Sequence, residues 1–263
     1  MKVGIISGSG AYDWPGLADP APQRVQTDHG SVEVTSGQVV GVDVVHLSRH
    51  GAGHARLSNQ VTHRANIAAL QKVGVDAVVS CTVCGAADRS VPLGALVAFD
   101  DLYFPSNRLP DGTLCSFYDT TGQTGRGHWI FDSPVSAALR EPLVAAARQY
   151  GGGVIVGGCY GHVDGPRFNS RSEIAVLTAA GVTAVSQTAG PELVLAGEIE
   201  LPIALLGFVT DHANGVTEDP QPLSRLAELM AQSGPIFAET LATALPQLPA
   251  HLPAAGSVYR FDS

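Results

Sequence analysis

The sequence predicts an α/β domain built on a mixed β-sheet. Short apolar runs bounded by Gly alternate with segments whose apolar residues recur at helical spacing. Four of those runs end in clusters of hydroxyl, guanidinium or imidazole side chains. The chain is 45% hydrophobic and only 15% charged over 263 residues, which supplies a full core for one domain spanning 1–263. Its 30 glycines and 17 prolines are spread along the chain, so they read as turn punctuation.

The first strand, near 2–7, is a continuous apolar run closed by Ser7-Gly8-Ser9-Gly10. A Pro-rich loop follows. Strands near 31–36 and 39–48 form a meander, the second ending in Ser48-Arg49-His50-Gly51. Val61, Ala65, Ile67, Ala68 and Leu70 recur at helical spacing and predict a helix over 58–73, stopped by Gly74. The strand at 76–83 runs into Ser80-Cys81-Thr82-Val83-Cys84-Gly85, and another strand is expected at 94–100. Residues 101–131 have no clear period, and a loop this long is usually functional or a partner contact.

A helix over 133–149 opens at Ser133-Pro134 and is stopped by Gly151–Gly153. Then come a strand at 154–160, a helix at 170–180 and a strand at 182–187 leading to Ser186-Gln187-Thr188-Ala189-Gly190. A helix at 191–198 and a strand at 202–209 follow. The last helix, 221–245, is expected to be interrupted at Gly234-Pro235, and a polar, Pro-rich tail ends the chain. There is no internal repeat and no linker.

The formal net charge is −9 with no basic block, which argues against nucleic-acid binding. No apolar stretch approaches the ~20 residues of a membrane span, and Met1-Lys2 leads directly into a strand, so cytoplasmic residence is expected. Cys81 and Cys84 form a lone C-x-x-C at a strand end. With Cys115 and Cys159, they are read as ordinary buried thiols rather than a zinc or redox site.

Ligands in α/β sheets bind at the carboxyl ends of strands. Ser9, Arg49, His50, Thr82 and Thr188 all follow strand ends, and hydroxyls, a guanidinium and Gly-freed N–H groups are what a phosphate dianion needs. Each Ser or Thr taken singly would read as a cap or a strand-end hydrogen bond.

The segment 161–174, with Gly165-Pro166-Arg167-Phe168, joins Arg49-His50-Gly51, Asn59-Gln60-Val61, Arg64-Ala65-Asn66-Ile67 and Thr82-Val83-Cys84-Gly85. Thr188-Ala189-Gly190-Pro191-Glu192 and Thr210-Asp211 complete the series. In this order, over roughly residues 2–247, the chain resembles the trimeric purine nucleoside phosphorylases, and among them the methylthioadenosine phosphorylases. The resemblance implies a central, partly barrel-like mixed sheet flanked by helices, and a homotrimer with its sites at subunit interfaces. It implies no metal and no organic cofactor, with inorganic phosphate as cosubstrate and a nucleoside as the small-molecule partner. Gly51 and Gly53 between His50 and His54 likewise argue against a helical metal face.

The resemblance also distributes roles. Ser9, Arg49, His50, Thr82, Val83 and Thr188 would hold phosphate, with Arg49 offering paired donors and a permanent charge. His54, Phe168 and Gln187 would lie at the ribose. Cys84, Gly85, Asn169, Asp211 and Ala213 would face the base. Asp211 would be the general acid toward purine N7, and as an Asp rather than Asn it favours 6-aminopurines. An Asp capping a turn before Asn214-Gly215 is its other reading.

Three positions depart from the methylthioadenosine phosphorylase pattern. Ala213 stands where a second Asp is usual, Asn169 where Ser is usual, and Gln187 where Met packs under the ribose. Gln187 either contacts a sugar substituent or is satisfied locally. The expected reaction is phosphorolysis of 5′-methylthioadenosine or another 5′-modified adenosine. The alternative is a 6-oxopurine nucleoside (inosine, guanosine or methylthioinosine). The segment 102–131 is implied to reach a neighbouring subunit, with His128 and Trp129 as candidates there. His63, His162 and His251 are read as structural or exposed.

Overall fold

The computed structural model describes residues 1–150, 152–219 and 221–261. It has the α/β architecture expected: an eleven-stranded mixed sheet with helices on both faces. Strands β1 (Lys2–Ser7), β2 (Ala18–Thr27), β3 (Gly30–Val39) and β4 (Val42–Ser48) precede helix α1 (His63–Lys72) and the long strand β5 (Ala77–Ala86). Short strands β6 (Leu96–Ala98), β7 (Asp101–Tyr103) and β8 (Gly127–Ile130) lead to α2 (Ala137–Ala147). Strands β9 (Val154–Val156) and β10 (Cys159–His162), α3 (Arg171–Ala179), β11 (Val182–Ser186), α4 (Ala189–Glu198) and β12 (Ile203–His212) follow. Helix α5 (Leu223–Ala244) and strand β13 (Ser257–Arg260) complete the order.

The central strands are apolar on both faces because both faces are covered. Val3, Ile5, Val79 and Leu206 pack with Leu139 and Leu143 of α2 and Phe237 and Leu241 of α5. Their neighbours Ile6, Val78 and Leu205 pack on the opposite side with Ile67 and Leu70 of α1 and Leu193 of α4. Strands covered on both sides read as unbroken hydrophobic runs, which is why these were legible.

The sheet forks at β5. Strand β12 runs parallel to it over Val78–Ala86. On the other edge, parallel β1 pairs only as far as Ser80, and antiparallel β11 begins at Gly85. One limb continues through β12 and β6 to β9, the other through β11 and β10 to β7, and no pairing among the described residues closes the ring. The stretch 81–84 of β5 is thus left without a neighbouring strand on one edge.

Several elements differ from expectation. The Pro-rich loop after β1 contains β2, an edge strand antiparallel to β3, and an edge strand tolerates Pro20 and Pro22. The helix expected from 58 begins at His63, after a 3₁₀ turn over Ser58–Gln60. The segment 101–131 carries β7 and β8, and β8 pairs with β13 from the tail. A turn at Gly157 and Gly158 splits the run 154–160 into β9 and β10. Of the expected stop after α2, Gly151 lies outside the described residues.

Helix α5 runs unbroken through Gly234-Pro235. The Ser233 hydroxyl donates to the Met230 carbonyl at 2.7 Å, next to the Ala231 carbonyl that Pro235 cannot serve. A Cβ on Gly234 would meet the Gly10 carbonyl oxygen at 2.6 Å, so Gly234 lets the helix seat against the loop after β1. Backbone cannot yield as a flexible side chain does. Gly234→Ala should therefore cost about 1–3 kcal/mol despite the better helix propensity of Ala, read as a lower urea midpoint at unchanged slope.

Candidate functional site

Strands β1 and β4 are parallel and in register, with Ser7 opposite Ser48, so their following loops start side by side. Both open onto the unpaired edge of β5 at 81–84. Strand β11 approaches from the opposite direction and delivers Ser186-Gln187-Thr188 to the same place. A 3.2 Å contact between the Thr82 and Ser186 hydroxyls joins the two strands. A cavity of about 260 Å³ fills this gap. Every residue assigned a role from the sequence lines it: Ser9, Arg49, His50, His54, Thr82, Val83, Cys84, Gly85, Phe168, Asn169, Gln187, Thr188, Asp211 and Ala213.

One end of the cavity is rich in donors. Thr188 precedes α4, so the positive end of that helix faces the site. The Ser9 and Thr188 hydroxyls have no protein partner among the described residues. Arg49 is fully buried, and four of its five N–H donors are already engaged. Its Nε donates to Glu192 Oε1 at 2.7 Å and Nη2 to Glu192 Oε2 at 2.8 Å. Nη2 also donates to Ser80 Oγ at 2.8 Å, and Nη1 to the Cys81 carbonyl at 2.7 Å. The paired donors expected to meet phosphate therefore grip Glu192, and one Nη1 hydrogen remains. Burial alone would neutralise both partners. Their mutual attraction prevails, holding Glu192 below and Arg49 above their ordinary pKa values.

His50 Nδ1 lies 2.9 Å from the Arg56 carbonyl, and its ring stacks on His54 at 4.2 Å. His54 Nδ1 contacts the Tyr12 hydroxyl at 2.8 Å. Burial, reinforced by Arg49, lowers the His50 pKa to about 4. The two imidazoles are face to face rather than converging. Among the described residues no group of three or more His, Cys, Asp or Glu side chains is arranged to hold a metal. All four cysteines are free thiols; Cys81, Cys84 and Cys115 are buried.

At the other end, a β-bulge in β12 sets Asp211 opposite Gly85, with Thr210 as the extra residue. Bulges re-aim side chains, and this one turns the Asp211 carboxyl over β5. A Cβ on Gly85 would lie 3.0 Å from Asp211 Oδ2, so the glycine makes room for the acid. The Thr210 hydroxyl donates to Oδ1 at 2.8 Å. Burial nevertheless dominates and raises the Asp211 pKa. The Asn169 carbonyl accepts from Asn214 Nδ2 at 2.7 Å, while the Asn169 carboxamide has no protein partner among the described residues.

Gln187 accepts from the Ser58 hydroxyl at 2.8 Å and donates to the Arg167 carbonyl at 3.0 Å, so both ends of its amide have protein partners from distant segments while it lines the cavity. Phe168 stands 62% exposed at the mouth. His128 and Trp129 do not line their own chain's cavity; the Trp129 indole donates to the Ala255 carbonyl at 2.7 Å. His63 and His162 are buried and His251 exposed.

Sequence reasoning gave no role to Glu192, although a carboxylate in the first turn of the apolar helix 191–198 is the mark of a buried ion pair. Ser58, Asn214, Leu226 and Met230 were also missed as lining residues. The last two sit four apart on α5 and look like ordinary core positions.

A family model described as the phosphorylase superfamily matches residues 2–246. The chain is 34% identical over 236 residues to a probable 6-oxopurine nucleoside phosphorylase of Thermococcus kodakarensis, covering 88% of this chain and 86% of that one. It is 30% identical over 264 residues to the S-methyl-5′-thioadenosine phosphorylase of Pyrobaculum aerophilum, covering 99% and 92%. The methylthioadenosine phosphorylase of Schistosoma mansoni in complex with adenine has a similar structure. Its TM-score is 0.83 at 27% identity, over 94% of this chain and 91% of that chain.

Proposed function

The chain belongs to the phosphorylase superfamily, and from that membership we propose that it cleaves purine nucleosides with inorganic phosphate, releasing the free base and a ribose 1-phosphate derivative. One observation carries the reading. A single cavity joins a donor-rich end, with Ser9, Thr188 and the Arg49 guanidinium, to a half-buried carboxyl at Asp211 whose pKa is raised.

Phosphate held by Ser9, Arg49, His50, Thr82, Thr188 and the Val83 N–H attacks the anomeric carbon. The bond to the purine breaks as the sugar gains cationic character, and the phosphate charge stabilises it. Asp211, whose pKa burial raises, donates its proton to purine N7 as the base leaves. His54, Phe168 and Gln187 border the ribose, Gln187 held in place by Ser58. Cys84, Gly85, Asn169 and Ala213 border the base.

The preferred substrate class is a 5′-modified adenosine such as 5′-methylthioadenosine. Leu57, Leu226 and Met230 give the cavity an apolar stretch suited to an uncharged 5′ group. A 6-oxopurine nucleoside is the second reading. It is favoured by Ala213 in place of a second carboxylate and by the free Asn169 carboxamide, which can donate to an oxo group. The reading includes a homotrimer whose segment 102–131 contacts a neighbouring copy, and cytoplasmic residence. Among the described residues no helix is long and apolar enough to cross a membrane.

The test is base release from methylthioadenosine, 5′-deoxyadenosine, adenosine, methylthioinosine, inosine and guanosine, with and without phosphate. Phosphate-dependent adenine release, fastest from the 5′-modified substrates, is the expected result. Hypoxanthine or guanine release would establish the second reading, and release without phosphate would overturn both.

A further inference from the structure

We infer that the anion end of the cavity selects an oxyanion that still carries a proton, phosphate or arsenate, over the unprotonated sulfate. The inference rests on the assignment of that end to phosphate. Two features of the site carry it: a guanidinium whose charge is already balanced, and an imidazole that presents a lone pair.

The first feature removes bulk charge as the basis of recognition. Arg49 is the one guanidinium lining the cavity among the described residues, and Glu192 grips it through two hydrogen bonds. With the ion pair closed and one Nη1 hydrogen left over, the pocket is not a bare cation that takes any dianion of the right size. Selection passes to the pattern of individual donors and acceptors.

The second feature sets that pattern. A carbonyl oxygen only accepts, so the 2.9 Å contact with Arg56 requires the hydrogen of His50 to sit on Nδ1. Nε2, on the far side of the ring, is then an acceptor, and it has no protein partner among the described residues. The ring is held by its stack on His54, so it does not turn freely to exchange the two nitrogens. The groups that act on His50 are Arg49 and His54, which disfavour its protonation, and the Arg56 carbonyl and Glu192, which favour it less strongly than burial opposes it. The imidazole stays neutral through the neutral range. The Ser9 and Thr188 hydroxyls are rotors that donate to whatever acceptor arrives. His50 Nε2 is the fixed acceptor among them.

An oxyanion with a hydroxyl gives Nε2 its hydrogen bond. Phosphate and arsenate keep at least one proton at neutral pH, and sulfate keeps none. Sulfate therefore brings an oxygen lone pair against a nitrogen lone pair. Losing one buried hydrogen bond makes an anion roughly tenfold weaker or more.

The experiment compares phosphate, arsenate and sulfate on the wild-type protein and on His50→Gln. Thermal-shift titrations give the affinities, and inhibition of phosphate-dependent base release by sulfate gives an independent value. In the wild type, phosphate and arsenate should bind alike and sulfate at least tenfold more weakly. The Gln amide can turn either its oxygen or its NH₂ group to the anion, so the phosphate-to-sulfate ratio should fall toward one in the variant. Sulfate matching phosphate in the wild type, or a ratio unchanged in His50→Gln, overturns the inference. If the variant does not fold, the wild-type series decides alone. Sulfate matching phosphate while base release still requires phosphate would defeat only this inference. Failure of all three anions to stabilise the wild type would defeat the phosphate assignment with it.

Discussion

Glu192→Ala should lower the stability of the fold by about 3–5 kcal/mol, the cost of leaving a buried charge without its partner. Against a typical total of about 5–15 kcal/mol, that is a large fraction. Glu192 and Arg49 are both fully buried, and the truncation removes two hydrogen-bond acceptors from a guanidinium that water does not reach. Ser80, which donates to Glu192 Oε2 at 2.6 Å, loses its acceptor as well. Urea unfolding reads the loss directly. Glu192→Gln keeps one carbonyl oxygen for Arg49 and should fold better, yet leave the guanidinium charge unbalanced and less firmly aimed. A changed phosphate KM in that variant, at near wild-type stability, would separate positioning from scaffolding.

The sign of the pH effect follows from the pair. Glu192 has its folded pKa depressed, so its contribution is present above the ordinary carboxylate range and is lost as pH falls through the depressed value. The Gln variant should therefore show a flatter stability profile in acid. Identical profiles, or a loss below about 1 kcal/mol for Glu192→Ala, would mean that Arg49 finds its charge balance elsewhere.

Asp211→Asn is expected to reduce kcat/KM for methylthioadenosine by about 10²–10⁴-fold, the usual worth of a general acid. The loss for inosine should be smaller, shifting preference toward 6-oxopurines. Asn has the same shape and cannot transfer a proton, so the bulge and the contact with Gly85 survive while the acid does not. Because burial raises the Asp211 pKa, its protonated form persists to higher pH than that of an exposed Asp. In the wild type kcat/KM should fall as pH rises through that pKa, and the variant should lack this limb. Equal relative kcat/KM for the adenosine and inosine analogues in both proteins would remove Asp211 from base recognition.

The central strands were legible because burial on both faces leaves an unbroken apolar run, as at Val3–Ile6 and Val78–Val79. Strand β2 was hidden by Pro20 and Pro22, which signal a loop unless the strand is known to lie on an edge. Whether it does is settled by its pairing with β3, not by local sequence. The same holds for β8 and β13, which pair across more than a hundred residues. Gly234-Pro235 suggested a broken helix because its packing partner, Gly10, is more than two hundred residues away. The residues placed in the cavity were within reach because they follow strand ends or sit in recognisable motifs. Arg49 was expected to reach outward with its paired donors. Only tertiary structure could reveal that Glu192, on α4 and 143 positions away, meets them first.

The fork at β5 also bears on how the molecule breathes. Strand β5 is hydrogen-bonded to β12 along nearly its whole length and to β1 or β11 at either end of its other edge. The unpaired edge at 81–84 faces the cavity, but the β5 amides bonded to β12 lie inside the sheet, so their exchange with solvent deuterium belongs to the global unfolding event. The wall of the cavity that carries Thr82 and Val83 is therefore among the last parts of the chain to open. Gly8, Ser9, Pro166 and Phe168, which line the same cavity, belong to loops outside this paired framework.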